Sequence, residues 1–164
     1  MYRTIDSIRE AGFTGFYPVA QLRLDHVTVP AIPGIYLIVQ PNDDTPVFLP
    51  KGSGGFFKKR EPNLPMAELS DKWLQECKIL YVGKAGGSHS KATLRSRLKQ
   101  YLDFGNGKSV GHYGGRLIWQ LKHHPELLVA WRAIPTGSPR EEEKQLISAI
   151  SDFYGRRPFA NLAS

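Results

Sequence analysis

Two short β-branched runs most constrain what this chain can fold into: GIYLIVQ at residues 34–40 and KILYVG at residues 78–83. The first lies between Pro33 and Pro41, and both are too short and too uniformly apolar for a surface helix. They read as buried strands. A third run, LLVAWRAIP at 127–135, reads as another strand ending at Pro135.

Helical periodicity fills the space between them. In TLRSRLKQYL, Leu94, Leu98, Tyr101 and Leu102 fall at i, i+4, i+7 and i+8, which predicts an amphipathic helix. RLIWQLKHH reads as a further helical patch, and AELSDKWLQEC at 67–77 as a short returning helix. The last helix has a start signal, with Ser138 at the N-cap, Pro139 at the first helical position and Glu141 where a capping box would place it. The resulting order is strand, insertion, strand, helix, helix, strand, helix. It predicts one small α/β (α+β) domain with a three-stranded, mostly antiparallel sheet flanked by helices.

Two segments lie outside that frame. Residues 1–30, with Ile5, Ile8 and Phe13 near helical spacing, read as an N-terminal packing extension to a domain covering 31–164. Residues 41–77 carry Pro41, Pro46, Pro50, Pro62 and Pro65 around KGSGGFFKKREP, so they form an insertion with a flexible basic middle. That run lacks the GxxxxGK[ST] order of a phosphate loop. Its Lys58, Lys59 and Arg60 could follow a nucleic-acid backbone beside stacking aromatics, or could simply be solvated.

A net charge of +7 and a pI near 9.6 favour a polyanionic partner, although charge alone is weak support. The single cysteine, Cys77, permits no internal disulfide and no Cys-rich zinc site. No stretch approaches the roughly 18 apolar residues of a membrane span, so a soluble, cytoplasmic protein is expected.

Helix geometry singles out candidate chemistry. Arg97 and Tyr101 stand about 40° apart beside the apolar stripe of their helix, where one phosphate could meet both. Arg97 as a solvated charge and Tyr101 as a core aromatic is the plainer alternative. Among Glu141, Glu142 and Glu143, only Glu143 falls inside the stripe of Leu146, Ile147, Ile150, Phe153 and Tyr154. An inward carboxylate needs a metal ion or a cation such as Arg97 or Lys84, because burying it unpaired costs several kcal/mol. Lys84 could bring an ammonium near Tyr36 if the first two strands pair, or be an ordinary loop lysine. Tyr36 and Tyr81 could equally be sheet-packing aromatics. His112, in GHYGG, is a possible phosphate or water contact, though such a histidine is usually solvated.

Gly34-Ile35-Tyr36 in the first strand and Tyr81-Val82-Gly83 in the second resemble the two halves of the signature of the GIY-YIG nuclease family, with valine replacing one isoleucine. Arg97 and Tyr101 in the next helix, Glu143 in the last and Asn161 in PFANL follow in the family's order, so the resemblance spans residues 33–161. It implies a metal-dependent endonuclease. Tyr36 would take a proton from water with help from Lys84, Arg97 would neutralise the phosphate, and Tyr81 and Tyr101 would position the reactants. Glu143 would hold one Mg2+ or Mn2+, and Asn161 would clamp a catalytic side chain or loop. The long insertion departs from the pattern and leaves substrate preference open. DNA is the expected substrate, structured RNA and a non-cutting nucleic-acid-binding module being the alternatives.

Overall fold

The computed structural model describes residues 1–56, 58–110 and 114–162. In chain order the elements are α1 (Ile5–Glu10), β1 (Thr14–Pro18), α2 (Val19–Leu24), β2 (Gly34–Val39), α3 (Met66–Lys72), β3 (Ile79–Ala85), α4 (Leu94–Gly105), β4 (Leu128–Ala133) and α5 (Pro139–Tyr154). The strands form one fully antiparallel sheet in the order β1-β4-β2-β3. The mixed α/β class and the three strands expected from sequence are present, but the sheet has four. The extra edge strand, β1, lies within the residues taken for a packing extension. Gly15 (φ 95°) and Phe16 (φ 61°) make a bulge there, which breaks the alternation that would have marked a strand.

The six residues of β2 are all buried because β2 is central and both sheet faces are covered. One face carries Tyr36, Ile38 and Tyr81 against Leu98 and Tyr101 of α4 and against Trp119. The other carries Ile35, Leu37 and Val82 against Ile8 of α1 and Leu146 and Ile150 of α5. Successive strand residues point to opposite faces, so this partition follows directly from the register Tyr36↔Gly83 and Ile35↔Lys84.

Several local expectations change. The patch from Arg116 is two 3-10 turns, Arg116–Gln120 and His124–Glu126, separated by an extended Leu121. The returning helix stops at Lys72, with Trp73 already extended. At the start of α5, Ser138 Oγ accepts the Glu141 N–H at 3.2 Å, while the full reciprocal capping box is made by Thr93 and Ser96 at the start of α4. Phe153 is 59% exposed, so the apolar stripe of α5 is buried only through Leu146 and Ile150.

The insertion is anchored rather than free across its middle. Leu49 and Ser53 donate backbone hydrogen bonds to the carbonyls of Gln120 and Trp119, and Gly55 donates to that of Phe104. The buried Gln120 carboxamide donates to the carbonyls of Leu49 and Leu64 and accepts the Leu64 N–H. No helix is long and apolar enough to cross a membrane among the described residues.

Candidate active site

Strand β3 lies at the edge of the sheet, so side chains from both faces can meet around it. There an open cleft of about 440 Å³ is lined by Tyr36 (β2), Tyr81 and Lys84 (β3), Arg97 and Gln100 (α4) and Glu143 (α5). Five of the residues singled out in the sequence therefore come together from four elements.

The two motif glycines are steric requirements. A Cβ on Gly83 would lie 2.3 Å from Tyr36 Cζ and 2.5 Å from its hydroxyl, so only glycine lets that ring cross β3. A Cβ on Gly34 would lie 2.3 Å from the Arg132 carbonyl oxygen, so glycine lets β2 approach β4.

The rings of Tyr36, Tyr81 and Tyr101 are mutually packed, with centroids 5.6–6.1 Å apart. Their hydroxyls differ in role. Tyr101 is fully buried and donates its hydroxyl to the Gly115 carbonyl at 2.8 Å, which directs it away from the cleft. It supports the other two rings, and a phosphate beside Arg97 would not meet its oxygen as expected from the helix wheel. Tyr36 and Tyr81 are coupled by a side-chain hydrogen bond. Burial raises Tyr36 well above the usual phenol value, with Tyr81 adding to the rise and Arg97 opposing it. Burial and the nearby Glu143 push Tyr81 up to about 12, against the hydrogen bond from Tyr36 and the charge of Arg97.

The cation acting on the tyrosines is thus Arg97, whose Nη1 also donates to Gln100 Oε1 at 2.9 Å. Lys84 lines the same cleft as Tyr36 from the other face of the sheet, and its charge opposes the rise in the Glu143 pKa. Sheet alternation sets these faces: Lys84 pairs with Ile35, on the α5 face, whereas Tyr36 lies on the α4 face.

The three glutamates have different surroundings. Glu141 is exposed, and Glu142 accepts from Arg132 Nη2 at 3.3 Å. Glu143 is half-buried, at the margin of the stripe rather than within it, and lines the cleft. Desolvation raises its pKa, with Lys84 and then Arg140 opposing the rise. The described residues hold no cluster of three or more metal-ligating side chains. A lone, partly desolvated carboxylate in an open cleft suits a hard divalent ion that keeps most of its waters and takes further oxygens from a phosphate.

Asn161 is a clamp in the literal sense. Its Oδ1 accepts the Val82 N–H and its Nδ2 donates to the Val82 carbonyl, both at 2.9 Å. These bonds fill the outward-facing backbone positions of the edge strand between Tyr81 and Gly83, and Ala160 N–H adds a bond to Leu80. Asn161→Ala is expected to cost about 1–3 kcal/mol by leaving those half-buried groups unpaired. A urea titration checks it, and a midpoint equal to that of the parent would show that water replaces the clamp.

Lys58, Lys59 and Arg60 are exposed and lie outside the cleft, on the strap that packs over the C-terminal end of α4. The Phe104 end of α4 is about 10 Å along the helix from Arg97. His112 lies outside the described residues.

No protein-family model matches the chain, and no curated protein or solved structure was found to be similar to it. Sequence reasoning missed the hollows beyond Tyr81 that Arg116 and Arg157 help to line. The basic pair Arg156-Arg157 just before PFAN was the available signal.

Proposed function

We propose that this chain is a metal-dependent endonuclease of the GIY-YIG type that hydrolyses phosphodiester bonds, with DNA as its substrate. The observation that carries the reading is the convergence of Tyr36, Tyr81, Lys84, Arg97 and Glu143 on one open cleft at the edge of β3. These residues provide what phosphodiester hydrolysis requires: a charge for the phosphate, oxygens that can hold and deprotonate water, and an anionic ligand for a divalent ion.

In this reading Arg97 binds the scissile phosphate. The Tyr36 hydroxyl orients the attacking water and takes its proton once its own has been released, a step that Arg97 favours and burial opposes. Tyr81 holds the Tyr36 oxygen through their shared hydrogen bond. Glu143 would hold Mg2+ or Mn2+, which when bound supplies Lewis-acid stabilisation of the leaving oxygen. Lys84 opposes the rise that burial imposes on Glu143 and so favours its ionised form. Asn161 and Tyr101 are positioning residues.

The test is cleavage of plasmid, branched DNA and structured RNA with and without magnesium. Magnesium-dependent cutting supports the reading, and cutting of RNA alone would change the substrate. A nucleic-acid-binding module with weak cutting is the second reading, favoured by the strongly raised tyrosine pKa values. It predicts binding with no metal-dependent cleavage.

The basic strap is expected to add phosphate contacts away from the chemistry. Lys58 and Lys59 both have positive φ (53° and 60°), so asparagine, which tolerates that region, is the suitable neutral replacement. The combined Lys58→Asn, Lys59→Asn, Arg60→Gln variant should weaken duplex binding. Its salt dependence should flatten by up to about 0.9 in slope for each phosphate no longer neutralised, with little change in cleavage of bound substrate. Binding measured over a salt series checks this, and an unchanged slope would remove the strap from the interface.

A further inference from the structure

The cleft does not end at Glu143. A second hollow of about 320 Å³ shares Tyr81 and Glu143 with it and adds Gly114, Arg116 and Arg157. A third, of about 360 Å³, shares Arg157, Asn161 and Leu162 with the second and ends at Lys72 and Arg156. Through these shared residues the three form one groove that runs from the edge of β3 across the segment from Arg157 to Leu162. Among the described residues its linings carry six cationic side chains, Lys72, Lys84, Arg97, Arg116, Arg156 and Arg157, against two carboxylates, Asp71 and Glu143.

One wall of this groove is the segment from Arg157 to Leu162, and it is fixed in place. Asn161 and Ala160 bond to β3, and Arg157 Nη1 donates to the Leu162 carbonyl at 3.2 Å. The opposite wall contains Gly114, where a Cβ would meet the Tyr81 hydroxyl at 3.1 Å, so bare backbone borders the groove at the point where the first two hollows join.

The geometry points to a binding track for a single polynucleotide strand: its backbone leaves the Arg97 and Glu143 cleft past Tyr81 and lays successive phosphates against Arg116 and Arg157. The inference rests on the nuclease reading for the position of the scissile phosphate. The occupant is a polyanion because positive charge extends along the whole groove while its carboxylates are confined to two points. Contact is to the backbone rather than to the bases, since the two carboxamides in the lining are already engaged, Asn161 by the Val82 backbone and Gln100 by Arg97. The track is therefore tolerant of sequence.

The experiment measures binding of a labelled single-stranded oligonucleotide without metal, over a salt series, to the full chain and to Arg157→Ala and Arg157→Lys. Magnesium-dependent cleavage is followed separately. Arg157→Ala is expected to lower the salt slope by about 0.7, the change for one phosphate no longer neutralised on a single strand, and Arg157→Lys to restore it. Shortening the strand at one end should weaken binding to the parent and not to Arg157→Ala, while shortening the other end should affect both. An unchanged slope in Arg157→Ala alongside normal cutting overturns the track and leaves the nuclease reading standing. A slope that falls in Arg157→Ala when the parent never cuts upholds the track and rejects hydrolysis. A loss of affinity with no change of slope would mean that Arg157 only holds the tail, which also overturns the track. If the parent binds no single-stranded oligonucleotide yet cuts plasmid or branched DNA, the track falls and the nuclease reading stands.

Discussion

Glu143→Gln is expected to lower magnesium-dependent cleavage by at least about 10²–10³-fold, the range observed when one group stabilising transition-state charge is removed. Nucleic-acid binding should be kept. The amide preserves side-chain volume in the cleft and removes the one carboxylate among its described lining residues, so affinity without metal should hold or rise slightly. The substitution also has a stability signature whose sign follows from the pKa. Burial raises Glu143 above its unfolded value, so the folded protein binds this proton more tightly than the unfolded chain. The ionised carboxylate therefore subtracts stability above the folded pKa, and the penalty disappears as pH falls through the folded pKa towards the unfolded one. At neutral pH Glu143→Gln should unfold at a higher temperature than the parent, with the advantage vanishing at acid pH. Glu141→Gln is the matched control. Glu141 is exposed and only its backbone N–H is used by Ser138, so activity should be near normal and stability within about 0.5 kcal/mol. Magnesium titrations of cleavage, metal-free binding and thermal melts at two pH values check these expectations. If Glu141→Gln were inactive and Glu143→Gln cut normally, the metal ligand would have been misassigned.

Tyr36→Phe is expected to reduce cleavage by about 10²–10⁴-fold, the usual contribution of a positioned acid or base, while leaving the fold intact. The ring is 1% exposed and fixed between β3 and α4, and phenylalanine fills the same space above Gly83. What disappears is the hydroxyl and its hydrogen bond to Tyr81, a change of about 1 kcal/mol in stability. Because burial holds both phenols above their usual value, activity should increase with pH well beyond neutrality in the parent. Losing that rise in Tyr36→Phe identifies Tyr36 as the titrating group. Should the rise persist at a reduced rate, Tyr81 would take over as base. Near-normal cleavage would make Tyr36 a packing residue alone.

Much of this arrangement was legible in the chain because it depends on local periodicity. The β-branched runs at Ile35–Val39 and Ile79–Val82 could be buried only as strands, and the spacing of Leu94, Leu98 and Leu102 fixed the phase of α4. The same argument separated Glu143 from Glu141 within three identical residues. Alternation along β3 would also have placed Lys84 on the face opposite to Tyr36 rather than beside it, had the pairing register been known.

Register is where sequence reasoning ends. Whether Gly83 faces Tyr36, whether a bulged segment at Gly15 and Phe16 joins the sheet, and whether Asn161 reaches the Val82 backbone are set by contacts between residues far apart in the chain. The direction of the Tyr101 hydroxyl depended likewise on Gly115, fourteen residues away, because a buried phenol takes whichever acceptor the surrounding packing provides. Local pattern was enough to say which residues could do chemistry and which faces of their elements they occupy. That β3 is an edge came from long-range strand pairing alone, and an edge is what allows Arg97 from one face and Glu143 from the other to share a cleft.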